Sequence, residues 1–160
     1  MRILFYAYCV CWWQSFARGY AFEVQILRDL QASGIEFYAH DIRDPNDRRS
    51  VADVIVLGLP GDVKTSTYFL RQATYRGLPN DFYVTRLWRG AQCCLLVVFQ
   101  KPDAWEKIDG DTVEGQLSDL LDLLPRPVAL RQGDITLIVV EYSTWKQRVL
   151  EAQREELSNE

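Results

Sequence analysis

The chain has a single histidine and no pair of cysteines at the spacing of a metal or redox motif, and these absences exclude several classes of site. His40 is the only histidine among 160 residues, whereas two-histidine zinc sites, histidine-pair phosphoesterases and H-E-x-x-H proteases each need at least two. The four cysteines, Cys9, Cys11, Cys93 and Cys94, lack the two-residue spacing of a zinc knuckle or a thioredoxin-type dithiol. We therefore expect no metal site, and four small thiols buried in strands of a reduced cytoplasmic protein.

The chain also lacks an excess of basic charge and a long apolar run. Eighteen Lys and Arg residues stand against 22 Asp and Glu residues, which gives a net charge of −4 and argues against a broad nucleic-acid-binding surface. No apolar run reaches the roughly 20 residues that span a bilayer. The stretch 3–13 contains five aromatic residues and two cysteines, which favours a buried strand over a secretory signal. The sequence predicts a cytoplasmic protein without membrane contacts, and nucleic acid is not an expected partner.

Apolar and aromatic residues are abundant. Hydrophobic residues make up 48% of the chain and aromatic residues 12%, more aromatic material than one small core needs. We expect a single α/β domain over residues 1–160, with a helix that frays after residue 150. If Trp12, Trp13, Tyr20 and Trp88 are exposed, they would form an anchoring patch for a protein partner or a second copy of the chain.

The first half of the sequence alternates between strand-like and helix-like segments. Strands are predicted at 3–10, 35–42 and 52–57, and helices at 19–33 and 65–75. Gly34 follows the first helix as a stop signal, and Gly77 with Pro79 follows the second. Between residues 41 and 47 the composition is typical of a turn. This order predicts parallel strands joined by helical crossovers.

The second half has a different pattern. Two strand-like runs, 82–88 and 91–99, are separated only by Arg89 and Gly90, which is too short for a crossover and predicts an antiparallel hairpin. A helix at 112–124, a strand at 135–142 and a last helix beginning near Ser143 follow. We therefore predict a three-layer α/β domain with a mixed, mostly parallel sheet, Rossmann-like in its first half and with an antiparallel hairpin in its second.

The segment from Val51 to Thr67 comes near to a phosphate-binding motif. Gly58, Lys64 and Thr65 occupy the first glycine, the lysine and the hydroxyl of the pattern G-x-x-x-x-G-K-[ST], while Val63 stands at the second glycine. With Pro60 and Gly61, these residues resemble the Walker A loop of P-loop nucleotide hydrolases. The resemblance implies a degenerate P-loop whose phosphate and Mg²⁺ contacts, with a nucleotide as the possible cofactor, come from Gly58, Gly61, Lys64, Thr65 and Ser66.

Other catalytic arrangements remain open. If the first two predicted strands are neighbours, Cys9 or Cys11 could act as a nucleophile with His40 as its base. Asp41 is a further candidate acid at the same edge of the sheet, and Asp62 or Glu141 could also serve a nucleotide site. The first half looks loosely like Toll/interleukin-receptor or nucleoside deoxyribosyltransferase domains. These place a catalytic glutamate on the helix after the third strand, and residues 68–76 contain no acid.

Each partial motif lacks a component, and this favours a protein without catalysis. The leading hypothesis is a non-catalytic α/β binding or interaction module, accessory or regulatory, that binds a phosphate-bearing ligand at residues 58–67. The alternative is an enzyme for nucleotide-dependent phosphotransfer or hydrolysis that uses the degenerate P-loop. A third hypothesis is thiol chemistry at Cys9 and Cys11.

Overall fold

A computed structural model describes residues 2–40, 52–70 and 77–158, with side chains from residue 8 onward. Its helices are α1 (Arg2–Ala32), α2 (Pro102–Glu106), α3 (Leu120–Leu123) and α4 (Tyr142–Ser158). Its strands are β1 (Tyr38–Ala39), β2 (Val54–Val56), β3 (Leu59–Lys64), β4 (Phe82–Arg89), β5 (Gln92–Phe99), β6 (Val113–Gly115), β7 (Val128–Gln132) and β8 (Ile135–Glu141). In the described ranges, no helix has both the length and the apolar character needed to cross a bilayer.

All eight strands form one sheet in the order β1-β2-β3-β4-β5-β8-β7-β6. Among these strands, only the pairs β3–β4 and β6–β7 are parallel, and the other pairs are antiparallel. The prediction of a mostly parallel, Rossmann-like three-layer domain is therefore wrong. The physical reason lies in the connections, because α1 precedes every strand and no helix separates β2 from β3 as a parallel crossover would require.

The predicted first strand at 3–10 is also wrong, since these residues lie in α1. Over so short an apolar window, periodicity cannot distinguish a buried strand from a helix. The longer pattern was informative, because Tyr8, Trp12, Phe16 and Tyr20 recur every four residues, as on one face of a helix. The predicted end of the helix at Gly34 is confirmed by the backbone, where Gly34 has a φ of 76°.

A tight turn joins β2 to β3. Leu57 and Gly58 have φ angles of 51° and 70°, the combination that a two-residue turn of type I′ requires. The predicted strand at 52–57 thus corresponds to β2, and β3 follows the turn as a separate, antiparallel strand. Gly61 lies within β3, and a Cβ at this position would overlap the ring of Phe82. Its glycine is therefore explained by packing.

The second half of the structure agrees better with the prediction from the sequence. The predicted hairpin is confirmed by the antiparallel pairing of β4 with β5, and the last predicted strand and helix correspond to β8 and α4. The predicted helix at 112–124 is wrong, because β6 occupies its start and only the single turn of α3 is helical. The predicted turn at 41–47 lies outside the described residues, and so do residues 71–75 of the predicted helix at 65–75.

The sheet has an apolar core on each face. On the first face, which we call the helical face, α1, α2 and α4 pack through Ile26, Leu30, Trp105 and Trp145 against the sheet. The opposite face, which we call the leucine face, is lined by Leu96, Val98, Leu120, Leu130, Leu137 and Val139. Along β4 the side chains alternate between the faces, so the face of any residue follows from its register.

Candidate functional site

The register of the β2–β3 hairpin places two aspartates side by side. Val54 pairs with Gly61, so Asp53, one residue earlier, lies opposite Asp62. The Asp53 carboxylate is fixed in place, because its Oδ2 accepts a hydrogen bond of 3.0 Å from the backbone N–H of Val63. His40 lies on the other side, where its backbone N–H donates to the Asp53 carbonyl at 3.0 Å. A row of polar residues thus crosses β1, β2 and β3 at one level.

Lys64 lies two residues after Asp62 on β3 and forms an ion pair with it. Its Nζ lies 2.5 Å from Oδ2 of Asp62. The aspartate residue is only 7% exposed, whereas 44% of the lysine side chain is open to solvent. Residues two apart on a strand project from the same face, so the ion pair runs along β3. Its buried end is the carboxylate, and its open end is the ammonium group.

Two carboxyl groups here, those of Asp62 and Glu23, have raised pKa values. Burial, followed by the neighbouring carboxyl of Asp53, raises the pKa of Asp62 from 3.8 to about 7, although Lys64 acts in the opposite direction. Burial and the charge of Asp53 also raise the pKa of Glu23, on α1, while His40 and Lys64 oppose this rise. Carboxyls with raised pKa values in one place are typical of functional sites. We call Glu23, His40, Asp53, Asp62 and Lys64 the Asp53–Asp62 cluster.

His40 contributes a buried ring nitrogen to this region. Its Nδ1 is buried and has no hydrogen-bond partner among the residues that the structure describes. A polar atom without a partner costs stability unless a ligand or solvent satisfies it. Asp41, the neighbouring candidate acid, lies outside the described residues. The cluster therefore has an unused hydrogen-bonding group beside its two aspartates.

The cysteines do not lie as the sequence suggested. Cys9 and Cys11 belong to α1 rather than to a strand, so they point about 200° apart around the helix at roughly 100° per residue. The expectation that all four thiols are buried in strands is wrong, since Cys11 and Cys93 are exposed and Cys9 and Cys94 are half-buried. All four are free thiols. Catalysis by Cys9 or Cys11 with His40 stays a prediction, now without a shared strand face to support it.

The predicted phosphate loop is instead a hairpin turn and a strand. Gly58 lies in the turn, while Gly61 and Lys64 lie in β3, which pairs with β2 on one side and with β4 on the other. A phosphate cradle needs successive free N–H groups pointing into a hollow, whereas the N–H of Val63 is bonded to Asp53. Beyond the strand, the Thr65 carbonyl accepts a hydrogen bond of 3.2 Å from Arg86 Nε.

Phosphate binding by Gly58, Gly61, Lys64, Thr65 and Ser66 stays a prediction. Lys64 is the member of that set which belongs to the Asp53–Asp62 cluster, and Ser66 is exposed beyond β3. A phosphate at this place would meet the lysine side chain rather than a ring of backbone N–H groups. The structure thus changes the geometric basis of the prediction from a loop to a strand.

Sequence reasoning missed Glu23 and Asp53 as functional candidates, although a signal was present. Leu57 and Gly58 stand between two short apolar runs, which is a hairpin pattern. Asp53 and Asp62 are equally distant from this turn, and a hairpin brings equidistant residues opposite one another. The interpretation of Gly58 as the start of a phosphate loop concealed this symmetry.

The side chains of the cluster do not form a complete metal cage. Within the described part of the chain, no group of three or more cysteine, histidine, aspartate or glutamate side chains is arranged to hold a metal ion. Comparison of the chain with models of protein families, with curated proteins and with solved structures found no match.

Proposed function

We propose that the Asp53–Asp62 cluster is the active site of a divalent-metal-dependent phosphodiester hydrolase, the type of chemistry that nucleases perform. The observation that carries this proposal is the position of Asp62. It is a buried carboxyl beside a second carboxyl and an ion-paired lysine that is open to solvent. Phosphodiester hydrolysis needs oxygen ligands for a cation and a positive group for the phosphate.

The donor atoms suit Mg²⁺ or Mn²⁺. Mg²⁺ prefers oxygen ligands and keeps several waters, so one or two carboxylates together with the substrate phosphate commonly hold it. Asp53 and Asp62 supply two adjacent carboxylates, and this requirement agrees with the incomplete protein cage. A cation between them would also offset their repulsion, which together with burial raises the pKa of Asp62.

The remaining residues have roles that their surroundings support. Lys64, through its exposed ammonium group, can donate to a phosphate oxygen and offset negative charge that develops during displacement. Glu23, whose pKa is raised by burial and by the charge of Asp53, is the candidate acceptor of a proton from an attacking water. A bound divalent cation would supply the Lewis acidity and lower the pKa of the attacking water. His40 Nδ1 remains available to a substrate oxygen or to a water.

The charge balance favours a diester over a nucleoside triphosphate. Ionised Glu23, Asp53 and Asp62 carry three negative charges, Lys64 carries one positive charge, and one divalent cation makes the total zero. Such a site attracts a group with a single negative charge more readily than one with four, because no surplus cation would offset the extra charge. The lack of a phosphate cradle between residues 58 and 64 agrees with this choice.

The test is hydrolysis of bis(4-nitrophenyl) phosphate with Mn²⁺ or Mg²⁺, compared with the same reaction in EDTA. We expect the cleavage to require metal and to be faster than cleavage of the monoester 4-nitrophenyl phosphate. Nicking of supercoiled plasmid DNA under the same conditions would show that the protein also cleaves DNA. Lys64→Met should reduce the rate at least 100-fold, a typical loss for a group that stabilises charge in the transition state.

Lys146→Met is the matched control, since Lys146 forms an ion pair of similar length with Asp29 away from the cluster. This variant should keep the wild-type rate. The proposal fails if wild type shows neither hydrolysis nor calorimetric binding of Mn²⁺, or if Lys64→Met retains full activity.

A second candidate function, a non-catalytic interaction module, is favoured by the first half of α1. Tyr8, Trp12, Trp13, Phe16 and Tyr20 are all between 47% and 68% exposed. Trp12 stacks on Phe16 with ring centres 5.6 Å apart, and Phe16 stacks on Tyr20 at 6.5 Å. Exposed aromatic surface of this extent is typical of an interface.

Sedimentation equilibrium tests the self-associating form of this second proposal. The wild type is expected to associate, and the double variant Trp12→Ser with Phe16→Ser is expected to be monomeric. Leu157→Ser serves as a control, because Leu157 is similarly exposed near the end of α4. A wild-type protein that stays monomeric at every concentration would exclude association through α1.

A further inference from the structure

A cavity of about 280 Å³ lies on the leucine face, next to the Asp53–Asp62 cluster. Its floor is formed by side chains of β4, β5, β7 and β8, and its sides come from α3, Leu117 and the segment 67–70. The lining is leucine and valine except for Thr67, Thr85 and Gln132. No charged side chain is among these lining residues, so the cavity suits a neutral, mainly apolar occupant.

Thr85 gives this cavity a specific feature. The residue is 0% exposed, and its Oγ1 is buried without a hydrogen-bond partner in the described part of the chain. Burial of a hydroxyl without a partner is unfavourable. Threonine is therefore an unfavourable choice at this strand position, where valine has the same shape and no hydroxyl. A ligand that hydrogen-bonds to Oγ1 would account for this residue.

Water is a poor partner for this hydroxyl. An ordered buried water needs two to four polar groups around it, and apolar cavities stay dry. Across β4, the strand neighbours of Thr85 are Lys64 in β3 and Leu96 in β5. The lysine forms its ion pair with Asp62, and the leucine offers no polar atom. Thr67 and Gln132 are the other polar side chains of the lining, and the rest is leucine and valine, which favours an apolar molecule with one polar atom over a cluster of waters.

We propose that this cavity binds a small neutral ligand, or the neutral apolar part of a larger one, through one hydroxyl or carbonyl group that hydrogen-bonds to Thr85. A cavity of 150 Å³ holds a benzene molecule, and by proportion the volume here holds roughly ten to twelve non-hydrogen atoms. The inference does not depend on the hydrolase proposal, because it rests on the volume, the lining and the unpartnered hydroxyl.

Calorimetry with two matched probes tests the proposal. 4-Propylphenol and propylbenzene share the same apolar body, and the phenol alone carries a hydroxyl. Wild type should bind the phenol about 3- to 10-fold more tightly than the hydrocarbon, the ratio expected from one hydrogen bond. In Thr85→Val the hydrocarbon should bind as before or better, and the preference for the phenol should disappear.

Two further variants complete the design. Thr136→Val makes the same change on β8 outside the cavity lining and should keep the wild-type preference. Leu96→Phe should fill the space beside Thr85 and weaken binding of both probes at least 10-fold, with circular dichroism to confirm that the variant folds. The proposal is overturned if wild type binds neither probe, or if Thr85→Val keeps the preference for the phenol. The second criterion holds even if Leu96→Phe does not fold.

Discussion

Two aspartates in this molecule each form a short ion pair with a lysine, yet their pKa values move in opposite directions. Asp62 Oδ2 lies 2.5 Å from Lys64 Nζ, and Asp29 Oδ2 lies 2.6 Å from Lys146 Nζ. Burial and Asp53 raise the pKa of Asp62 to about 7. Burial acts on Asp29 as well, but the hydrogen bond and charge of Lys146 outweigh it and lower the pKa of this residue.

The difference shows that an ion pair alone does not indicate a functional site. The Asp29 side chain is 45% exposed, and Lys146 also donates to Ser33 Oγ at 3.0 Å and lies over the ring of Tyr142. This pair joins α1 to α4 and has a structural role. The Asp62 side chain is 10% exposed and has a second carboxyl beside it, so the ion pair cannot satisfy both acids. The surplus negative charge is what a cation would bind.

Activity should separate the two aspartates most clearly. Asp62→Asn is expected to lower metal-dependent hydrolysis of bis(4-nitrophenyl) phosphate by roughly 1000-fold, because it removes a ligand of the cation. Asp29→Asn should remain within about twofold of wild type, since its pair only connects two helices. Initial rates at saturating Mn²⁺ provide the measurement. Equal losses of activity in both variants would contradict a special role for Asp62.

Replacing Asp62 should lower activity but raise the free energy of unfolding at alkaline pH. Because its pKa is raised, the folded protein retains a proton that the unfolded chain releases, so stability falls as the pH rises from about 4 to about 7. At about pH 8, Asp62→Asn should be more stable than wild type by about 2 kcal/mol, since it removes a buried charge. At about pH 4 the two proteins should differ little. Urea unfolding at both pH values is the check, and a destabilised variant at the higher pH would contradict it.

Proton release should accompany metal binding at the Asp53–Asp62 cluster. Burial and Asp53 raise the pKa of Asp62 to about 7, so this carboxyl holds a proton in part of the molecules near neutral pH, and a bound cation requires its ionised form. Titration with Mn²⁺ in two buffers of different ionisation enthalpy should therefore report a net release of protons on binding. The Asp29→Asn variant should give the same result. Binding without proton release would place the ion away from Asp62.

The smallest effect is expected at Asp29. Its pair is nearly half exposed, so solvent screens the interaction, and Asp29→Asn should cost about 0.5 kcal/mol of unfolding free energy near neutral pH. Because the pKa of Asp29 is lowered, this contribution is present above the usual aspartate value and is lost as the pH falls through the lowered value. Urea midpoints at high and low salt would show whether the loss is electrostatic.

The second half of the fold could be predicted from the sequence because its signals are local. Arg89 and Gly90 are too few residues for a crossover, and this restricts 82–99 to a hairpin. In the first half the same local reasoning failed. The run 3–10 is apolar on all sides, so its period did not distinguish a strand from the helix that the structure shows. A strand at 3–10 followed by a helix and a second strand predicts parallel pairing, so the error in this segment made the prediction wrong for the rest of the first half.

The candidate site could be predicted only in part. Lys64 and Asp62 were recognised, but in the setting of a loop. Asp53 was missed because its role depends on which residue lies opposite it, and pairing across strands is not visible in a linear motif. Glu23 could not be predicted either, since its raised pKa depends on burial, which the sequence alone does not show. The role of a side chain that depends on its neighbours in space can be identified only when the fold is known.

The turn at Leu57 and Gly58 has a consequence beyond the conformation of two residues. Side chains alternate along β3, so one residue added to or removed from the hairpin would move Asp62 to the helical face and place Val63 or Gly61 opposite Asp53. If that residue is uncharged, every acid and every lysine would still be present, and the net charge would not change. The proposed chemistry therefore depends on the number of residues in the hairpin as well as on the residues of the cluster, and a change in that number would abolish it without altering any charged group.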